Sequence, residues 1–434
     1  MALGGAIGTG LFLASGLAVN VAGPAIILSY VLIAGLSLLL GAALTEMAVT
    51  HPTAGAFGVY AGIYVSPFAG YAVRVSYWLM EVIATGAQLV AASIYMRYWF
   101  PPVPGAVWVL IFATALVFVN SRAVGRLGIV ESWLVLIKIA ALALFVAVGV
   151  LAVFGLTGEA AVGFRHVTGH GGFMPFGTAG VWLGCCFVMY SFIGVEIIGV
   201  TSGEASNPSS TVPTAMRRMV VGLSAIYIVT IALLVTLTPW SEIGVGESPF
   251  VSVLRSVRLP AAAGIMNFVV LIAALSSANA NLYLIVRTLF SLARAGFVPG
   301  PLGSVTERGT PLRALLVSSV GLGTAVVVQA AWPDSAYVGL FGVALFGGLF
   351  VWFMIFVTHI AFRAPAIPVA SCAGAAFVAA ILVSTWWAPG LRSTLLAAGP
   401  WLVALAVGYR ASAKRAARCK LPPGVRNGGP AGVT

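Results

Sequence analysis

Charge is what this sequence has least of. Only 7% of its 434 residues are Asp, Glu, Lys or Arg, where a soluble globular chain carries about 25%. So few charges cannot build a water-facing surface for a chain of this length. Cysteine is also scarce. Cys185, Cys186, Cys372 and Cys419 form no C-x-x-C pair and three of them lie in apolar stretches, which speaks against a disulfide framework or a metal site. The four histidines, His51, His166, His170 and His359, fall in or near connectors. With no nucleophile–base pair and no metal-ligand cluster, enzyme chemistry and a bound cofactor are not expected.

What the chain has in abundance is apolar residues, 61% of the total, and lipid is the solvent that suits them. A membrane-spanning helix needs about 20 mostly apolar residues. On that rule the chain divides into about twelve spans, near 2–22, 25–48, 68–99, 104–120, 128–154, 179–201, 219–239, 262–293, 312–331, 336–362, 366–387 and 393–409. The mixed stretch around 50–66 reads as a connector or a short interfacial helix. The expected fold is therefore an all-α integral membrane protein. Its transmembrane domain covers 1–410, and a basic tail covers 411–434.

The net charge of +12 does not point to nucleic acid, because its distribution is that of a membrane protein. Arg122, Arg126, Arg217, Arg218, Arg287, Arg294, Arg308, Arg313 and Arg363 lie on one set of connectors. Arg410, Lys414, Arg415, Arg418, Lys420 and Arg426 lie in the tail. The opposite connectors carry Arg97, Arg165, Arg255, Arg258 and Arg392, offset by Glu159, Glu242, Glu247 and Asp334. A bias of roughly three to one places both termini in the cytoplasm. Met1 leads straight into apolar residues without a basic n-region, which makes a poor signal peptide and suggests an upstream segment is missing.

Helix-weakening residues recur five spans apart. Span 1 holds Gly4, Gly5, Ala6, Ile7, Gly8, Thr9 and Gly10, and span 6 holds Ser191, Phe192, Ile193, Gly194, Val195 and Glu196. Five is odd, so a repeated five-helix unit would insert upside down the second time. Interrupted helices at matching places in such a repeat point to a transport site, because unwound backbone needs polar partners that lipid cannot supply. Close packing of small residues is the competing use of the glycines.

Several polar residues stand inside apolar runs. Glu196 could take a proton or hydrogen-bond to exposed backbone, since an intramembrane carboxylate is costly unless paired or protonated. Tyr190 and Phe192 flank the break and could wall a small pocket. Lys138 sits roughly 15 Å deep in span 5, at 1.5 Å per residue. From that depth it could exchange a proton, act as a fixed cation, or form a static ion pair. Glu81, Thr85 and Gln88 share a face of span 3 that could line the cavity. Ser276, Ser277, Asn279 and Asn281 stand in apolar surroundings on span 8, where small hydroxyls often only glue helices together.

At these residues the chain resembles the amino acid–polyamine–organocation superfamily. Within it, the likeness is to the amino acid transporter family of bacterial permeases for aromatic amino acids, GABA, lysine, proline and D-serine, D-alanine or glycine. The stretches Ala2–Phe12, Glu46–Gly55, Phe192–Glu196, Gly203–Pro208 and Leu289–Ala293 carry the resemblance. It implies a LeuT-type five-plus-five inverted repeat (about 1–154 and 179–362) with broken helices 1 and 6 and two extra helices (about 366–409). It also implies proton symport of an amino acid across the plasma membrane, driven by the proton gradient. The backbone of Ala6, Ile7, Gly8, Thr9 and Gly10 would then bind the substrate carboxylate. Carbonyls around Ser191, Phe192 and Gly194 would bind the ammonium, Phe192 would gate, Tyr190 would wall the pocket, and Lys138 would occupy the place of a sodium ion. Many relatives have an aromatic residue where Glu81 stands and an acid where Gln88 stands. Glu81 therefore keeps an exchanger, or a carrier of polyamines or other organic cations, as an alternative. A non-transporting receptor is a third. Oligomeric state and the particular amino acid stay open.

Overall fold

The computed structural model describes residues 7–53, 56–122, 127–156, 161–200, 207–244, 246–306 and 310–416. Ala6 and the other residues before Ile7 lie outside this set. So do Gly55, Arg126, Glu159, Gly203–Ser206, Arg308, Arg418, Cys419, Lys420 and Arg426.

Every regular element among the described residues is helical. Ten helices are long and apolar enough to cross a membrane, the first being the 41-residue Gly10–Thr50. That run reverses at Gly23, whose φ of +62° is open to glycine. It therefore supplies span 1 (Gly10–Ala14 and Ser15–Ala22) and span 2 (Ile26–Thr50). There follow span 3 (Pro67–Met96), span 4 (Gly105–Arg122), span 5 (Leu127–Val153) and span 6 (Gly177–Phe192 and Ile197–Val200). Span 7 (Pro208–Leu237), span 8 (Pro260–Arg294), span 9 (Leu312–Ala331) and span 10 (Ala336–Arg363) come next. The shorter apolar span 11 (Val369–Ser384) and span 12 (Arg392–Ala416) complete the set. The 50–66 connector carries a short helix, Ala56–Tyr64.

Two boundaries differ from expectation. Span 7 starts at Pro208 rather than near 219. Its first turns are polar, with Ser209, Ser210 and Thr211, so hydropathy misses them. Pro208 in the first turn is nonetheless well suited to begin a helix. Span 12 continues to Ala416, so the boundary expected at 410 falls inside a helix.

The arrangement of burial follows lipid as solvent. Leu110 and Phe118 on span 4, Trp133 and Leu144 on span 5, Val320 and Val327 on span 9 and Val403 and Val407 on span 12 are exposed. In water such a surface would aggregate. Span 3 runs through the middle of the bundle, packed on spans 4, 8, 9 and 10. Span 1 packs on span 6, span 2 on span 7, span 3 on span 8 and span 4 on span 9. Each of these helices thus meets the one five further along the chain.

Polar networks tie the bundle at its ends. Where spans 2, 10 and 11 meet, Arg363 Nε approaches Glu46 Oε1 at 2.6 Å and His359 Nε2 lies 3.1 Å from Glu46 Oε2. The other ring nitrogen of His359 is 2.8 Å from Ser371 Oγ on span 11. Between spans 4 and 8, Asn120 Nδ2 donates to Asn279 Oδ1 at 2.8 Å, so Asn279 serves as helix-to-helix glue.

Candidate functional site

The described part of span 1 opens with irregular backbone. Ile7 and Gly8 are bends, and helix starts at Thr9, passing at once into a π-helical turn over Gly10–Ala14. A helix start leaves its first N–H groups without intrahelical partners, and a π-turn loosens the ladder that follows. The freed Phe12 carbonyl accepts the hydroxyl of Ser248 at 2.8 Å, from the connector between spans 7 and 8. The Thr9 carbonyl accepts the Tyr337 hydroxyl of span 10 at 3.2 Å.

Span 6 breaks at Ile193–Glu196, between its two helical pieces. Gly194 sits at φ +112°, a conformation that a side chain would strain. In a continuous helix the N–H groups of Gly194 and Val195 would bond the carbonyls of Tyr190 and Ser191. Here Gly194 N–H donates to Glu196 Oε2 at 2.9 Å, and Val195 N–H goes to the Phe192 carbonyl at 3.3 Å. The carbonyls of Tyr190 and Ser191 thereby lose their helical donors. Glu196 is buried and also accepts from Trp352 Nε1 at 3.1 Å. Of the two uses open to Glu196, it displays the hydrogen bond to unwound backbone.

The two irregular stretches meet. A Cβ placed on Gly10 would lie 2.9 Å from Ser191 Cα and 3.2 Å from both Ser191 N and Oγ, so backbone touches backbone there. Gly8 faces span 8, where an added Cβ would sit 3.1 Å from Ser277 Oγ. Ser277 donates to the Ile7 carbonyl at 3.3 Å and accepts from Lys138 Nζ at 3.2 Å. Lys138 is 0% exposed. One hydroxyl thus connects the span 5 ammonium to the irregular start of span 1.

A cavity opens beside this junction. Gly8, Thr9, Gly10, Glu81, Gln88, Tyr190 and Gly194 all line it, joined by Met80, Ala84, Ile193, Ile197 and Asn281. The centre of a water molecule can move over about 30 Å³ of it, room for about two waters. An amino acid needs more, so side chains must move to admit one. The Tyr190 ring packs on Phe341 of span 10, with centroids 4.5 Å apart.

Other expected site residues stand apart from the cavity. Ile7, Ser191, Phe192, Glu196 and Lys138 do not line it. The ring of Phe192 is fully buried between Tyr30 of span 2 and Tyr227 of span 7, at 6.3 and 5.3 Å. Helix continues through Phe192, which turns this ring toward those spans instead. Thr85, expected on the cavity face of span 3, bonds back to the Glu81 carbonyl at 2.7 Å. The residues missed in the sequence are Tyr337 and Trp352 of span 10 and the apolar wall of Met80, Ala84 and Ile197. Nothing marks them out from ordinary core residues.

Twelve helical segments among the described residues, with irregular backbone of spans 1 and 6 meeting beside a cavity that Glu81, Gln88 and Asn281 also line, define a multi-pass membrane protein. Comparison with known proteins gives the family. Residues 1–417 match the family described as Amino acid permease. Over 426 residues the chain is 36% identical to an uncharacterized amino acid permease, YtnA, of Bacillus subtilis (strain 168), covering 94% of this chain and 92% of that one. It is 33% identical over 433 residues to the aromatic amino acid transport protein AroP of Escherichia coli (strain K12), covering 97% and 95%. The chain belongs to the amino acid permease family. It is a membrane transporter of amino acids, not an enzyme.

Proposed function

We propose that this permease imports its amino acid across the plasma membrane by proton symport with alternating access, both termini lying in the cytoplasm. The observation that carries the reading is the contact of Gly10 with Ser191 beside a shared cavity. Two interrupted helices there face one small space with opposite polarity. The N–H groups at the start of the span 1 helix, over Gly8–Gly10, receive the substrate carboxylate, aided by the positive end of that helix. The carbonyls of Tyr190 and Ser191 receive the ammonium. Because these groups recognise what every amino acid shares, the side chain is read elsewhere. Tyr190 covers the substrate. Phe192 moves away from Tyr30 and Tyr227 when the site opens.

Lys138 is the proton site. Its ammonium contacts Ser277, which holds the Ile7 carbonyl, so loss or gain of its proton changes what the start of span 1 is anchored to. Glu196 holds the span 6 break and passes through the cycle with it. The pairing of spans 1 to 4 with spans 6 to 9 supports an inverted repeat of about 1–154 and 179–362. In that repeat the group of spans 1, 2, 6 and 7 rocks against spans 3, 4, 8 and 9.

The test is uptake into proteoliposomes. Lys138→Ala should abolish accumulation driven by an acid-outside pH gradient while retaining counterflow exchange at equal pH. Wild-type accumulation that ignores the pH gradient, or gradient-driven uptake unchanged in the variant, contradicts the proton role.

A further inference from the structure

The span 3 wall of the cavity carries an acid whose charge no backbone recognition uses. Glu81 is 5% exposed and lines the cavity; its Oε2 makes no hydrogen bond of good geometry among the described residues, and its one neighbouring donor is the buried Tyr77 hydroxyl, one turn back on the same helix. Two turns along the same helix face, Gln88 is equally buried and lines the same space, and its Oε1 is likewise unpartnered. Asn281 of span 8 adds a third polar group. No lysine or arginine is among the lining residues. Arg74 lies two turns before Glu81 on span 3 and Lys138 lies behind Ser277, which stands between it and Gly8, and neither cation lines the cavity. Glu196, the other buried acid, accepts from Gly194 N–H and Trp352 through Oε2; its Oε1 has no partner among the described residues, but it does not line the cavity.

A buried acceptor without a donor is costly, and a buried carboxylate more so. A ligand that brings donors to this wall removes the cost. A ligand that brings an aromatic or aliphatic group leaves both acceptors sealed and unmatched, and specificity against such ligands follows from that mismatch. With the α-carboxylate on span 1 and the α-ammonium on span 6, the substrate side chain is what remains to meet span 3.

We propose that the transported substrate is an amino acid with a cationic, donor-rich side chain, an ammonium or a guanidinium. Glu81 is its specificity-determining partner and Gln88 a second acceptor. This rests on the reading of the cavity as the amino-acid site. It departs from the aromatic amino acids for which the AroP relative is named.

The experiment is a thermal-shift titration of the purified full chain with L-lysine, L-ornithine, L-arginine, L-glutamine, L-leucine and L-phenylalanine. The cationic amino acids should stabilise the protein at concentrations at least tenfold lower than leucine or phenylalanine. In Glu81→Gln, lysine affinity should fall at least tenfold while glutamine binding is retained or gained. The unliganded unfolding temperature of the variant reports whether it has folded, and if it has not, the wild-type panel alone decides. Binding of leucine or phenylalanine without lysine, or undiminished lysine affinity in Glu81→Gln, overturns the proposal and leaves amino-acid transport standing. Binding of none of the six overturns both.

Discussion

Replacing Gly10 with alanine tests whether spans 1 and 6 must touch backbone to backbone. The new methyl would stand 2.9 Å from Ser191 Cα, where carbon atoms rest at about 3.5–4.0 Å. The shortfall is roughly 0.6–1.1 Å on that scale. The obstacle is main chain, so no rotamer change relieves it and the helices must separate. Forced overpacking of this kind costs about 1–3 kcal/mol. If the separation is confined to the site, that cost appears as weaker binding, about 5- to 150-fold at 1.4 kcal/mol per factor of ten. Gly35 of span 2 is the control, because an added Cβ meets nothing within 4 Å. Gly35→Ala should leave affinity unchanged. Amino-acid counterflow in proteoliposomes, read as half-saturating substrate concentration, makes the comparison. Equal affinity in Gly10→Ala and Gly35→Ala refutes the claim that this contact shapes the site.

Two further outcomes follow from other contacts. Trp352→Phe removes the N–H that Glu196 Oε2 accepts and should destabilise the protein by about 2–4 kcal/mol, combining a hydrogen bond to a charged group with lost packing volume. An unfolding temperature equal to wild type would show that Glu196 does not depend on it. Glu46→Gln breaks the pairing with Arg363 and His359, but the Glu46 and Arg363 side chains are 34% and 51% exposed. The loss should therefore stay below about 1 kcal/mol and shrink as salt is added. A larger, salt-independent loss in chemical unfolding would mean that the network bears on the core.

The spans were legible because lipid imposes one simple demand, a long apolar run, and ten of the described helices meet it. Where helix and lipid part company, that signal fails. The first turns of span 7 are helical but polar, and the last turns of span 12 pass beyond the apolar stretch. The breaks were legible from glycine, and Gly194 needs to be one. Their extent was not. Helix persists through Ser191 and Phe192, which moves the irregular backbone to Ile193–Glu196 and directs the Phe192 ring into the tyrosines of spans 2 and 7. Glu81 and Gln88 were readable as one face of a helix, because seven residues make two turns. Tyr337 and Trp352 were not readable, because their partners lie 328 and 156 residues away. Only the folded bundle brings them to the breaks.

The most direct measurement is accumulation of a radiolabelled amino acid, chosen by the thermal-shift panel, in proteoliposomes with and without an imposed acid-outside pH gradient. Proton symport requires uptake to rise above equilibrium only when the gradient is present, and to fall back when a protonophore collapses it. Uptake that reaches the same plateau in all three conditions would contradict it.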